Sequence, residues 1–121
     1  MLGLKWTGSG PGAALEQFCA AAGEMSLPDI PPLPLPMPSK LAFSYAPLHS
    51  YVERYIFARG GIQNLDSSTK YALARAFQTA AVAQLQDKLL LALQWCSRKE
   101  MTIRHVVVSG GVASNLFLRE R

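Results

Sequence analysis

The sequence is poor in charge and has no long apolar run, and these shortages exclude several classes of protein. Charged residues make up 17% of the 121 positions and hydrophobic residues 50%, a balance that fits neither a disordered chain nor a coiled coil. A membrane-spanning helix needs about 18 consecutive apolar residues, whereas the longest apolar run, at 89–93, has five. We therefore expect no membrane span, and either one small globular domain or a piece of a larger one.

Cysteine and histidine are also scarce, which bears on disulfides and metals. Cys19 and Cys96 are the two cysteines, and both fall in helical patterns. We interpret them as reduced core residues rather than as a disulfide pair. Neither His49 nor His105 belongs to a set of Cys and His residues at metal-ligand spacing. Residues 1–12 resemble neither a secretory signal nor an Arg-rich transit peptide.

Basic residues outnumber acidic ones without forming one dense patch. The formal net charge of +4 is compatible with an RNA partner. A solvated basic surface is the simpler interpretation. Charge alone does not decide the partner.

Periodicity and helix breakers predict alternating helices and strands. Six of the eleven residues at 28–38 are proline, and because proline fixes φ and lacks an N–H, this segment is predicted to be extended. A PxxP docking ligand is the alternative to a structural linker. The predicted order is a helix at 13–22 closed by Gly23, the linker at 26–40, a strand at 41–45, a helix from Pro47 to Gly60, a long helix at 69–98 capped from within 64–68, a buried strand at 103–108, a glycine turn, and a helix at 112–120.

The long predicted helix has one apolar stripe, which we expect to face the core. Its remaining polar side chains are expected to point away from that core. The stripe comprises Leu73, Phe77, Ala81, Leu85, Leu89, Ala92 and Cys96, and the polar set comprises Arg75, Gln78, Gln86, Lys88 and Gln94.

The segment VVVSGGVASN, at 106–115, is the one that indicates chemistry. A glycine pair directly after a strand bares the main chain, so that a flat or charged ligand can approach it closely. The following helix would direct unpaired N–H groups and its positive end at that ligand. Asn115 adds a carboxamide that both donates and accepts. No Lys-Ser/Thr follows the glycines, which excludes a P-loop, and the GxGxxG fingerprint is absent.

Four segments resemble the universal tRNA threonylcarbamoyladenosine synthase family, also described as O-sialoglycoprotein endopeptidase-like or Gcp-like. SGGVASNLFLRER, at 109–121, is similar to the family's long and fairly specific GGVAAN-xx-LR motif. In chain order, 10–20 resembles the PGGPxLExLA stretch, 40–56 the FSFSGLKT segment, and 72–93 the IAASFQEAVVDxLxxK helix. Because these segments follow in the family's order and are spread along the sequence from residue 10 to residue 121, the chain is identified as a member of this family.

The resemblance implies an α/β architecture, as a fragment of the two-lobed actin/Hsp70/sugar-kinase-like (ASKHA) fold that binds a nucleotide between its lobes. Residues 1–25 would end the first lobe, 26–40 would form the linker, and 41–121 would begin the second lobe. Asn115 matches the family's asparagine that contacts the adenylate. Gly110 and Gly111 match the glycines that let the main chain approach it.

The resemblance also implies a reaction, in which threonylcarbamoyl passes from threonylcarbamoyl-AMP to N6 of adenosine 37 in tRNAs that read ANN codons. One divalent metal ion, iron or zinc, would orient and polarise the acyl group. The family's HxxxH and aspartate ligands match nothing in this sequence, so we expect them before it and beyond Arg121. The chain alone is therefore expected to be inactive, and marginally stable or prone to aggregate.

Several expectations about partners and location follow from the same resemblance. The implied partners are tRNA, the adenylate and a second copy in a homodimer, with no membrane. A mitochondrial location is favoured because the mitochondrial branch tolerates departures such as Ala46 and Pro47 in the FSFSGLKT segment, while cytoplasm and plastid stay open. With His49 also replacing a lysine there, no role is carried over to that segment.

Two alternative functions remain open at this point. One is a non-catalytic scaffold paralogue that keeps a nucleotide-responsive cleft. The other is a sugar or acyl kinase of the same fold, although the matches at 40–56 and 72–93 favour the tRNA-modifying branch.

Overall fold

A computed structural model describes residues 10–21 and 27–120, and its regular elements are helical. In this part of the chain, four α-helices are joined by segments without regular structure and two short 3-10 turns. The helices are α1 at Gly10–Ala21, α2 at Ala46–Ala58, α3 at Ser67–Arg98 and α4 at Leu116–Arg119, with 3-10 turns at Ile62–Asn64 and Gly111–Ser114.

Helix α3 is the long helix that the sequence predicts, and its capping is confirmed. Its interior is rich in alanine and leucine, which are strong helix formers, and contains no proline or glycine. The side chain of Asp66 accepts a hydrogen bond from Thr69 N at 2.7 Å, so it satisfies one of the unpaired amides of the first turn. The hydrogen bond with the Thr69 side chain and that from its main-chain N–H hold the pKa of the Asp66 carboxyl below its usual value.

Helix α2 also begins and ends as predicted. Pro47 lies in its first turn, where a missing N–H leaves no hydrogen bond unmade. Leu48 and Val52, one turn apart, are buried against α3. Gly60 and Gly61 follow the helix with φ of +83° and +107°, a backbone region that favours glycine.

Helices α1 and α2 both pack on α3, so the small core lies along the N-terminal half of that helix. From α1, the ring of Phe18 stacks on Tyr71 with 4.3 Å between centroids. Arg75 Nε also donates a hydrogen bond to Cys19 O at 3.2 Å. The buried apolar residues are Cys19, Leu48, Val52, Leu65, Ala72, Leu73, Ala74 and Val82.

The predicted core face of α3 is only partly right. Gln78 and Lys88, expected to point away from the core, are buried, whereas Leu89 of the predicted stripe is exposed. A single stripe assumes one packing partner, but α3 is also covered by the segment that connects α1 to α2. Gln84 Oε1 accepts a hydrogen bond at 2.8 Å from Ser44 N in that segment. The buried surface of α3 therefore includes polar side chains.

The proline-rich linker has neither helix nor strand at 27–35 and contains bends and a turn at 36–41. Tyr51 Oη of α2 donates a hydrogen bond to Pro31 O at 3.2 Å. In the bend, Lys88 Nζ donates to Met37 O at 2.5 Å. Met37 and Ser39 have φ of 48° and 61°, which is uncommon for residues other than glycine. The linker is therefore attached to both α2 and α3.

The two predicted strands, at 41–45 and 103–108, are not strands in the part of the chain that the structure describes. Both segments lack helical structure but pair with no other segment there. Val107, predicted to be buried, is 88% exposed. β-branched composition indicates strand propensity, but a strand also needs a neighbour for its backbone hydrogen bonds. The α/β pattern is therefore not visible, and the described chain is mostly helical.

The two ends of the described chain also differ from prediction. Helix α1 begins at Gly10, so that the predicted Gly-Pro-Gly turn is its first turn, and its predicted end at Gly23 lies outside the described residues. The helix predicted at 112–120 is divided into a 3-10 turn and α4, because Asn115 between them has extended backbone angles.

We expect Leu73→Ala to lower the free energy of unfolding by about 2–5 kcal/mol, because Leu73 is fully buried and its loss leaves a cavity. The matched control is Leu90→Ala on the same helix, at a position that is 60% exposed. That control should change the free energy by no more than about 0.5 kcal/mol. Urea unfolding measures both, and equal losses would contradict the described core.

Candidate functional site

The glycine turn presents bare main chain to solvent. Residues 109–111 are exposed, and a Cβ built on Gly110 or Gly111 would meet no atom within 4 Å. Gly110 has φ of +94°, so any L-residue there would be strained. Gly111 has no such backbone restriction. The turn therefore leaves room for a flat group to lie directly against the backbone.

Asn115 begins the helix that follows this turn. Its Oδ1 accepts a hydrogen bond from Leu118 N at 3.0 Å, which makes it the N-cap of α4. The carboxamide oxygen is therefore engaged within the chain, and the NH2 group is the part left to contact a ligand. Sequence analysis did not anticipate this structural role.

The start of α4 does not offer the row of unpaired amides that the sequence led us to expect. Leu116 N donates a hydrogen bond to Glu16 Oε1 of α1 at 2.6 Å, and Leu118 N is taken by Asn115. The anion at this helix N-terminus is thus a carboxylate of the chain itself. Glu16 is 100 positions away in sequence, and no local pattern could have indicated it.

Two hollows flank the glycine turn and α4. One, of about 750 Å³, lies between α3 and residues 106–109 and is lined mainly by apolar side chains such as Leu85 and Val106. The other, of about 450 Å³, lies between α1, α3 and α4, and Arg75 and Gln78 line it. Together they leave α4 and the turn accessible from both sides.

Cys19, in the wall of the second hollow, is not a nucleophile. Burial raises the pKa of its thiol to about 11, although the nearby Arg75 guanidinium lowers it in part. The thiol therefore stays protonated at neutral pH, and the thiolate is the reactive form. This agrees with the interpretation of Cys19 as a core residue, and both cysteines are free thiols.

The described residues contain neither a metal site nor a membrane span. No group of three or more His, Cys, Asp or Glu side chains lies close enough there to hold a metal ion. His49 Nδ1 lies 3.5 Å from Glu53 Oε2 on the exposed side of α2, which is one pair and not a ligand set. No helix in residues 10–21 or 27–120 is long and apolar enough to cross a membrane.

The whole chain, residues 1–121, matches the family of tRNA-modifying transferases described as tRNA N6-adenosine threonylcarbamoyltransferase. The class is therefore that of enzymes that modify adenosine in tRNA. This chain belongs to the tRNA N6-adenosine threonylcarbamoyltransferase family. The resemblance drawn from the motifs is confirmed.

Individual relatives agree with this membership. The chain is 37% identical over 87 residues to a probable mitochondrial tRNA N6-adenosine threonylcarbamoyltransferase of Arabidopsis thaliana, covering 65% of this chain and 18% of the relative. It is 35% identical over 123 residues to the mitochondrial enzyme of Schizosaccharomyces pombe, covering 98% of this chain and 28% of the relative. For the Bartonella henselae enzyme the identity is 31% over 126 residues, with 98% and 32% covered.

The chain spans about a third or less of the length of these curated relatives. No solved structure matches it significantly. Activity, substrates and partners of the whole protein are therefore matters for proposal.

We expect Asn115→Ala to expose the Leu118 amide to faster hydrogen exchange, because the replacement removes the cap of α4. Loss of an N-cap costs about 1 kcal/mol, which corresponds to a roughly fivefold faster exchange. Asn115→Ser is the matched control, since a serine hydroxyl still caps and should keep exchange within about twofold of wild type. Native-state exchange followed by NMR or mass spectrometry tests this, and equal rates in all three proteins would contradict the cap.

Proposed function

We propose that the complete protein transfers threonylcarbamoyl from threonylcarbamoyl-AMP to N6 of adenosine 37 in tRNAs that read ANN codons. The family match over residues 1–121 is the observation that carries this proposal. Relatives from a plant, a yeast and a bacterium bear the name of this transferase, which supports the same activity here.

The glycine turn is proposed to hold the adenylate against the main chain. Gly110 accommodates the left-handed turn, and Gly111 leaves open space where a side chain would stand. Asn115 would donate from its NH2 group to the nucleotide while its oxygen caps α4. These residues bind and orient the ligand, and none of them needs to transfer a proton.

The metal ligands that the family implies match no residues of this sequence. One iron or zinc ion per subunit is proposed for the complete protein, where it would polarise the acyl group. The described residues hold no ligand set for it, so no role of this chain depends on the metal. The two-lobed ASKHA fold, with lobes meeting at residues 26–40, and a homodimeric assembly are proposals of the same kind.

A mitochondrial location is proposed on the basis of two relatives. The plant and fission yeast proteins are both named as mitochondrial enzymes. Tagged full-length protein observed together with a mitochondrial marker would test the location directly.

We expect the complete gene to restore threonylcarbamoyladenosine in mitochondrial tRNA of a fission yeast strain that lacks its own mitochondrial enzyme. Nucleosides from purified tRNA, separated and identified by mass spectrometry, give the measurement. A stably produced protein that restores no modified adenosine would contradict the proposed reaction. A vector without the gene is the negative control.

We expect Gly111→Ala and Asn115→Ser to weaken binding of AMP by the complete protein about tenfold, without lowering its thermal midpoint. The alanine Cβ meets nothing within 4 Å in the free turn, so a loss of affinity for AMP must come from contact between the Cβ and the ligand. The serine keeps the cap but lacks the NH2 donor, and a hydrogen bond of about 1.4 kcal/mol corresponds to tenfold. Calorimetric titration tests this, and wild-type affinity in both variants would contradict the assigned roles.

A further inference from the structure

The outward side of α2 has aromatic and basic side chains next to one another. We call Tyr51, Arg54, Tyr55 and Phe57 of α2, together with Arg59 directly after the helix, the α2 face. Phe57 is 83% exposed, Arg54 and Arg59 are exposed, and the two tyrosines are half-buried. Large exposed aromatic rings beside cations are unusual on a solvated surface and typical of a binding surface.

Arg54 stands between two shallow hollows of this face. Tyr51, Arg54 and Tyr55 line a hollow of about 260 Å³. A second hollow, of about 520 Å³, lies on the other side and is lined by Glu53, Arg54, Ile56, Phe57, Gly61 and Ile62. Arg54 is the residue that lines both. Arg54 is therefore a cation between two hollows, one lined by Tyr51 and Tyr55 and the other by Phe57.

A second cation is already fixed on this face. The Arg59 guanidinium lies 3.7 Å from the centroid of the Tyr55 ring, in a cation–π contact. This contact presents the guanidinium as a flat positive plate, on which a nucleic-acid base can stack. The Arg59 side chain is thus ordered before any ligand binds.

The acidic residue of the same surface is Glu53, which also lines the second hollow. Glu53 Oε2 lies 3.5 Å from His49 Nδ1, one turn earlier in α2. Its charge is therefore closest to His49, and Arg54 and Arg59 give the face a net positive charge. As the partner of this face, a polyanion is therefore favoured over a surface of mixed composition, whether acidic or neutral.

We propose that the α2 face binds two consecutive unpaired nucleotides of RNA, with Arg54 on the phosphate between them and one base in each hollow. Stacking platforms combined with cations are how proteins hold single-stranded nucleic acid, and unpaired loop bases are what proteins read in RNA. The inference rests on the proposed function in one respect: the RNA would be the tRNA substrate.

The test compares tRNA binding by the complete protein and by three single variants. Phe57→Ala should weaken binding about tenfold, because one base loses its stacking partner. Arg54→Gln should weaken binding and reduce the slope of log affinity against log salt by about 0.7, the value for one phosphate contact on a single strand. Arg98→Gln, the same charge change at an exposed position outside the face, is the control and should lower affinity much less.

Competition and stability measurements separate the remaining outcomes. An unpaired RNA oligonucleotide should compete with tRNA for the wild-type protein, and a blunt RNA duplex should not. Equal competition by the duplex, or wild-type binding by Phe57→Ala and Arg54→Gln, would overturn the inference. A fall in the thermal midpoint of Phe57→Ala would do so as well, since it would mean that the face packs within the complete protein.

The same experiment distinguishes this inference from the proposed function. If the wild-type protein modifies adenosine in tRNA but both variants bind tRNA normally, the α2 face is wrong and the activity stands. If the protein binds tRNA through Arg54 and Phe57 but forms no threonylcarbamoyladenosine, the activity is wrong and the RNA surface stands.

Discussion

Two buried polar side chains of α3 hold the segment that connects α1 to α2, and the arrangement of the helices depends on them. Lys88 is 4% exposed, and its ammonium group donates a hydrogen bond to Met37 O. The same group lies 3.2 Å from Asp87 Oδ2, which forms an ion pair with it but no hydrogen bond. Gln84 accepts from Ser44 N, while its Nε2 has no partner within the described residues. Burial of a polar group costs free energy unless a hydrogen bond offsets it, so the bonds to Met37 and Ser44 favour one register of the connector along the helix.

Local chemistry made the helices predictable, and distant partners made the remainder unpredictable. The caps and breakers around α2 and α3, such as Pro47, Asp66 and Gly60, act within a few residues, and the helices begin and end close to where they indicate. The segment at 103–108 has strand propensity, but pairing is a property of two segments. The burial of Lys88 could not be deduced because a lysine in a helical pattern is ordinarily solvated.

The open shape of the glycine turn was predictable for the same reason, whereas its role in binding a ligand stays a prediction. A glycine pair indicates an open turn from the sequence alone, and the exposure of Gly110 and Gly111 agrees with it. Asn115 lies directly before α4, and an asparagine at that position indicates an N-cap. The sequence had been interpreted for its ligand contact instead. The proposed ligand contact is compatible with the cap, because the cap uses the oxygen of Asn115 and leaves its NH2 group.

The hydrogen bond from Leu116 N to Glu16 joins residues 100 positions apart, and this separation bears on the order of folding. Closing so long a loop is entropically slow compared with forming the contacts between α2 and α3. The contacts between α2 and α3 should therefore form first, and the glycine turn should acquire its final geometry only when α1 meets α4. During synthesis, the glycine turn would be among the last parts of this region to mature.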